Sequence, residues 1–206
     1  MRFFYFKHFL VNIYLMKHLK KFESFSIPKI DFSEEIDEFK YVYEENFMDE
    51  DDFYLLSEYT SNYEKYLLNS KDSLNGIERY NLPIDSEILT KMIQKYEHKI
   101  RELTDNNLIY LSKNYPIELR KYVRGCFMSP HKDTQIYKIP QYECVFTISN
   151  TTDSVTNVDG VEIRTIPNSI IILKAEGATH HVTEVNTGER NFLKFIFTET
   201  DELLED

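Results

Sequence analysis

A chain of 206 residues with 42% hydrophobic content is long enough to fold as one ordinary domain around a buried core. Its formal charge of −11 excludes the broad basic footprint that supplies most non-specific affinity for DNA or RNA, so a cationic peptide or a small metabolite is the easier partner and nucleic acid is not expected. Two cysteines, Cys126 and Cys144, are too sparse for a disulfide framework and read as reduced, buried small side chains, which suits a cytoplasmic chain.

In residues 1–22, Arg2, Lys7, Lys17, Lys20 and Lys21 surround the short apolar run from Phe9 to Met16. The run contains Asn12, lacks a small-residue cleavage site and is followed by further lysines. It therefore reads as a basic apolar arm or a non-native upstream start, with Met16 as a second candidate initiator, and no stable membrane insertion is expected. Residues 23–105 read as a mainly helical, acidic region. The acidic run from Asp31 ends in Asp49-Glu50-Asp51-Asp52 with Phe39, Tyr41, Tyr43 and Phe47 interleaved. It has no glycine-punctuated calcium-loop spacing, so it reads as a solvated face. Helices are expected over 57–70 and 85–103. In the second, Asp85 is the expected N-cap, and Ile88, Leu89, Met92, Ile93, Tyr96, Ile100 and Leu103 form one apolar stripe that should pack on a sheet. His98, among charged neighbours, reads as solvated.

After Asn106 the texture changes to short β-branched and aromatic runs separated by turn residues. Strands are expected over 107–112, 117–124, 127–131, 142–149, 161–166, 169–174, 180–185 and 190–197, with reversals at Asp159-Gly160, Pro167-Asn168 and Thr187-Gly188. Eight short strands fit a jelly roll. The expected class is therefore α+β: a double-stranded β-helix core over 106–206 with the N-terminal helices packed on its sheet. The sequence carries no signal for oligomeric state.

The chemistry-bearing constellation is His131-Lys132-Asp133 with His180 and Arg190 further along. On a strand, His131 and Asp133 point to the same side and can grip one ion together, while Lys132 points away. A third ligand from a distant strand would complete the two-histidine, one-carboxylate face that suits ferrous iron with open positions. His180 and His181 are adjacent, so alternation lets one of them face the ion.

These residues carry a family resemblance. The string from Tyr122 through Gly125 to His131-Lys132-Asp133-Thr134, and the stretch from Thr179-His180-His181-Val182 to Gly188-Glu189-Arg190, resemble the iron(II)- and 2-oxoglutarate-dependent oxygenases, in particular their prolyl-hydroxylase-like branch. The resemblance covers about residues 106 to 198. It implies that His131, Asp133 and His180 ligate iron, His180 being preferred over His181 for its place in the pattern. It also implies that Arg190 anchors the distal carboxylate of 2-oxoglutarate and that Tyr122 reaches the cosubstrate, with Thr147 or Tyr142 as further candidates. The implied cofactors are Fe(II), 2-oxoglutarate as cosubstrate and O2, with ascorbate admissible as a reductant. The implied reaction is hydroxylation of a prolyl or other residue in a protein or peptide, releasing succinate and CO2, and the presence of Asp133 favours it over halogenation. The alternatives are a hydroxylase of an amino acid or another small metabolite, and a non-catalytic jelly-roll metal-binding or interaction protein. His8 and His18 carry no such signal, and Arg120, Arg124, Arg164 and Lys194 read as surface charges.

Overall fold

The computed structural model describes residues 39–72 and 77–205, so the arm expected over 1–22 lies outside the described residues. Residues 39–206 form one compact unit. Its elements are β1 (Tyr41–Glu44), α1 (Glu50–Ser61), β2 (Leu68–Asp72), β3 (Ile77–Ile84), α2 (Glu87–Gln94), α3 (Glu97–Leu103), β4 (Tyr110–Leu111), β5 (Ile117–Tyr122), β6 (Phe127–His131), β7 (Tyr142–Asn150), β8 (Thr156–Val158), β9 (Val161–Ile163), β10 (Ser169–Lys174), β11 (His180–Val182) and β12 (Arg190–Thr198). The pairings are antiparallel, and hydrogen-bonded neighbours run β1-β10-β7-β12-β5-β3-β6-β11-β8-β9, with β2 on β3 and β4 on β12. This curled sheet is the expected double-stranded β-helix.

The sheet is two-faced because its central strands alternate. On β12, Leu193, Phe195 and Phe197 point to one side; on β7, Cys144 and Phe146; on β5, Ile117 and Leu119; on β10, Ile170 and Ile172. There they meet Leu56 of α1, Leu89 and Ile93 of α2 and Ile100 of α3 in the main core. The opposite faces of the same strands carry Arg190, Phe192 and Lys194, Val145, Arg120 and Tyr122, and Ile171 and Leu173, which line a cavity. A strand covered on both sides reads as a continuous apolar run, which explains why Ser169 to Leu173 are all buried. At the β8–β9 hairpin both Asp159 and Gly160 have positive φ, 48° and 86°, the conformation that a two-residue turn between right-twisted strands requires.

The N-terminal half departs from the helical expectation. The helix expected over 57–70 runs from Glu50 and stops at Ser61, and β2 follows. β3 lies outside the expected strands, and Pro83 inside it is a residue that argues against a strand. Pairing with β2 along one edge and with β5 and then β6 along the other holds it in the sheet regardless. The helix expected over 85–103 is broken into α2 and α3 at Lys95-Tyr96. Tyr96 leaves the helical path there, and its hydroxyl accepts from the Asp49 backbone N–H at 2.9 Å and donates to Asp52 Oδ2 at 2.5 Å. The acidic run at Glu50, Asp51 and Asp52 is the first turn of α1, where negative charge meets the positive end of the helix dipole. Among the described helices none is long and apolar enough to cross a membrane. Cys126 lies in the turn between β5 and β6, and both cysteines are free and buried.

The N-cap of α2 is Ser86 in place of Asp85. Its Oγ accepts from the Leu89 N–H at 3.2 Å and lies 2.6 Å from the Tyr59 hydroxyl of α1. Ser86→Ala should therefore cost about 1 kcal/mol of stability in urea unfolding, whereas Asp85→Ala should cost under about 0.5 kcal/mol. Equal losses would put the cap elsewhere.

Candidate metal centre

β6 ends at His131, and the chain carries Asp133 two residues on. β11 lies antiparallel to β6 with His180 directly opposite His131. This register gathers His131, Asp133 and His180, whose ligand atoms all lie within 4.8 Å of one another. His180 Nε2 is 3.5 Å from Asp133 Oδ2, His131 Nε2 is 3.9 Å from Asp133 Oδ1, and the two imidazole centroids are 4.3 Å apart. His181 pairs with Asn157 on β8 and lies outside the group.

The backbone sets the ring tautomers. His131 Nδ1 lies 2.9 Å from the Ser129 carbonyl and His180 Nδ1 lies 3.3 Å from the Ala178 carbonyl. A carbonyl can only accept, so each Nδ1 carries the hydrogen and each Nε2 keeps its lone pair towards Asp133. Burial also lowers the pKa of His180 from its ordinary 6.5; Asp133 opposes the shift and His131 reinforces it. A neutral imidazole is the form that binds metal. Two imidazole nitrogens and one carboxylate oxygen on one side of a point are a donor set suited to ferrous iron.

Arg190, at the start of β12, is 1% exposed. Its guanidinium is packed over the Tyr122 and Phe192 rings, with its carbon 5.5 Å and 5.1 Å from their centroids, and those rings stack on each other. Nη1 donates to Thr156 Oγ1 at 3.2 Å, while Nε is buried with no acceptor. Burial lowers the pKa of this group, and the Tyr122 side chain counteracts it. A guanidinium out of water with no carboxylate beside it is costly unless an anion arrives. Its orphaned donor therefore fits a carboxylate ligand. Tyr122, 1% exposed, lines the same cavity and directs its hydroxyl to Met128 Sδ at 3.7 Å.

Thr147 and Tyr142 do not line the cavity. Tyr142 belongs to the helix-facing core, where its hydroxyl accepts from Asn106. Lys194 and Arg120, read as surface charges, are cavity-lining and largely buried. Lys194 Nζ lies 2.7 Å from the buried Glu143 carboxylate and 3.6 Å from Asp133 Oδ1. Arg120 is clamped by Glu118, with Nε donating at 2.7 Å and a second N–H to the same oxygen. Strand alternation from Arg190 through Phe192 to Lys194, and from Tyr122 back to Arg120, is the signal that would have found both. Arg124 and Arg164 are exposed, as expected.

No protein-family model matches the chain, and no curated protein matches its sequence. Solved structures do match. A Pseudomonas putida prolyl-4-hydroxylase superposes with TM-score 0.59 at 13% identity, over 78% of this chain and 93% of that one. A Trichoplax adhaerens prolyl hydroxylase in complex with a hypoxia inducible factor peptide fragment gives 0.61 at 11%, over 78% and 84%. The α-ketoglutarate-dependent epimerase SnoN from nogalamycin biosynthesis gives 0.58 at 9%, over 79% and 78%. At these identities the likeness shows the fold, that of the iron(II)/2-oxoglutarate oxygenases.

The depressed pKa of His180 has a measurable consequence. The unfolded chain takes up a proton near 6.5 while the folded chain resists it, so His180 contributes stability that is complete above that pH and is lost as pH falls below it. In metal-free protein, acidification from about pH 7 to about pH 5.5 should lower the urea midpoint more for wild type than for His180→Gln. Equal losses would show that His180 is not held neutral by burial.

Proposed function

We propose that this protein is an Fe(II)- and 2-oxoglutarate-dependent dioxygenase, and that its substrate is a prolyl or other residue of a peptide or protein. The observation that carries the reading is the pairing of two features in one cavity: a two-histidine, one-carboxylate donor set and a buried guanidinium with no carboxylate partner among the described residues. A structural zinc site would account for the first and leave the second unexplained. The fold shared with prolyl hydroxylases supports the substrate class.

In this reading His131, Asp133 and His180 would hold iron(II), and Arg190 would receive the distal carboxylate of 2-oxoglutarate. The bound pair supplies oxidative decarboxylation, which couples O2 to hydroxylation of a C–H bond and yields succinate and CO2. The protein contributes placement and environment. The Ser129 and Ala178 carbonyls fix both imidazoles with Nε2 inward. Lys194, between Glu143 and Asp133, orients the Asp133 carboxylate through charge attraction. The stacked Tyr122 and Phe192 rings pack against the guanidinium of Arg190 and keep water from it, so its fork is preorganised for a carboxylate.

Succinate release in the presence of iron(II), 2-oxoglutarate and O2 tests this reading. His131→Ala and Asp133→Ala should lower the rate by at least about a hundredfold while leaving the unfolding midpoint near wild type, because each removes a ligand and little core. Wild-type rates in either variant would rule out the assigned centre. Arg190→Met should chiefly raise the 2-oxoglutarate concentration needed for half-maximal rate, by about tenfold or more, since a charge-assisted bidentate contact is lost. An unchanged requirement would remove Arg190 from the cosubstrate site.

A further inference from the structure

The cavity beside the metal centre has a volume of about 800 Å³. Its wall contradicts the overall charge of the chain. Among the described residues its lining carries five cationic side chains, Arg79, Arg120, Lys132, Arg190 and Lys194, and Asp133 as the one carboxylate. Most of these cations are accounted for. Glu118 clamps Arg120 and Glu143 pairs with Lys194. Lys132 is exposed and donates to the Glu176 carbonyl. With the proposed function, the charges of iron(II) and Arg190 together are matched by the two carboxylates of 2-oxoglutarate and by Asp133.

Arg79 is left over. It stands on β3, next to the strand that carries His131. Its Nη1 touches Met128 Sδ at 3.9 Å, a thioether and a weak acceptor. Its Nε is buried with no acceptor. No carboxylate of the described chain pairs with it. A guanidinium half-withdrawn from water with a buried, unmade hydrogen bond is unfavourable by itself, and a ligand oxygen would relieve it.

We propose that the substrate of this cavity carries a carboxylate, and that Arg79 seats it. The inference rests on the proposed function for its charge balance: with Lys132 left out because solvent screens it, the surplus is one positive charge, which calls for a monoanion, and a planar guanidinium fork matches a carboxylate. Met128, in contact with the Arg79 guanidinium, precedes His131 by three residues on β6, under about 10 Å because the register shifts between them. That separation suits an acidic side chain within a few residues of the reacting position in a peptide. The other source of the same chemistry is the carboxylate of a free amino acid. The partner is thus acidic at the site, opposite to the cationic partner that the net charge of −11 favours.

The test is calorimetric titration of the full chain loaded with Mn(II) as a stand-in for iron. The first titrant is 2-oxoglutarate. The next are capped pentapeptides with a central proline flanked by glutamate, glutamine or lysine, and then free proline against prolinamide. A carboxylate probe should bind at least about tenfold more tightly than its amide twin. A glutamate-peptide preference assigns the carboxylate to a peptide, and a proline preference assigns it to a free amino acid. Arg79→Gln should abolish the preference, and Arg79→Lys, which keeps the charge without the fork, should retain part of it. The proposal is overturned if the amide or lysine twin binds as well, if no carboxylate probe binds in the millimolar range, or if the preference survives Arg79→Gln. Failure of wild type to bind 2-oxoglutarate in the first titration would instead overturn the proposed function.

Discussion

The site depends on one constraint, the period of two along β5, β7, β10 and β12. Each of these strands must satisfy two solvents at once. One face meets the helices and carries Ile, Leu and Phe, burying enough apolar surface to hold the sheet. The other face is thereby committed to the cavity, and there the same strands carry Arg120, Tyr122, Arg190, Phe192 and Lys194. A one-residue slip of β12 would put Arg190 into the helix-facing core and Phe195 into the cavity, so core packing and site chemistry enforce a common register.

The charges on the cavity face form a graded set. Glu118 and Glu143 neutralise Arg120 and Lys194 from within the chain, which rigidifies the wall at the expense of desolvating both partners. Among the described residues Arg190, fully buried, and Arg79, half-buried with a buried Nε, have no such partner. Buried cations whose donors are unmet in the protein alone are binding determinants more readily than structural ones, because the structure would be better off without them. The reading of the cavity as one that takes two carboxylates, one of the cosubstrate and one of the substrate, follows from these two residues.

Much of this was legible in the sequence where the signal is local. The strands from Ile117 onward, β8 excepted, the turn at Asp159-Gly160 and the grouping of His131 with Asp133 follow from alternation and turn chemistry. Pairing partners are not local, which is why β3 escaped. Pro83 breaks its pattern, and only β2 on one edge and β5 and β6 on the other make it a strand. Arg79 escaped with it. Lys194 and Arg120 were misread for a different reason: a cationic residue on a strand reads as solvent-facing unless its buried carboxylate partner is known, and Glu143 and Glu118 are identified as partners only by the folded geometry. The break between α2 and α3 likewise depends on Asp52, which is far from Tyr96 in sequence and bonded to it in the fold.

The central claim is that ferrous iron and 2-oxoglutarate meet at His131, Asp133 and His180 beside Arg190. Visible absorption under anaerobic conditions tests it most directly, because a keto acid bound to iron(II) gives a charge-transfer band that neither component shows alone. The account predicts that the band develops when iron(II) and 2-oxoglutarate are added to the wild-type chain, and that it is lost in His180→Ala. No band in the wild type, or an undiminished band without His180, would contradict it.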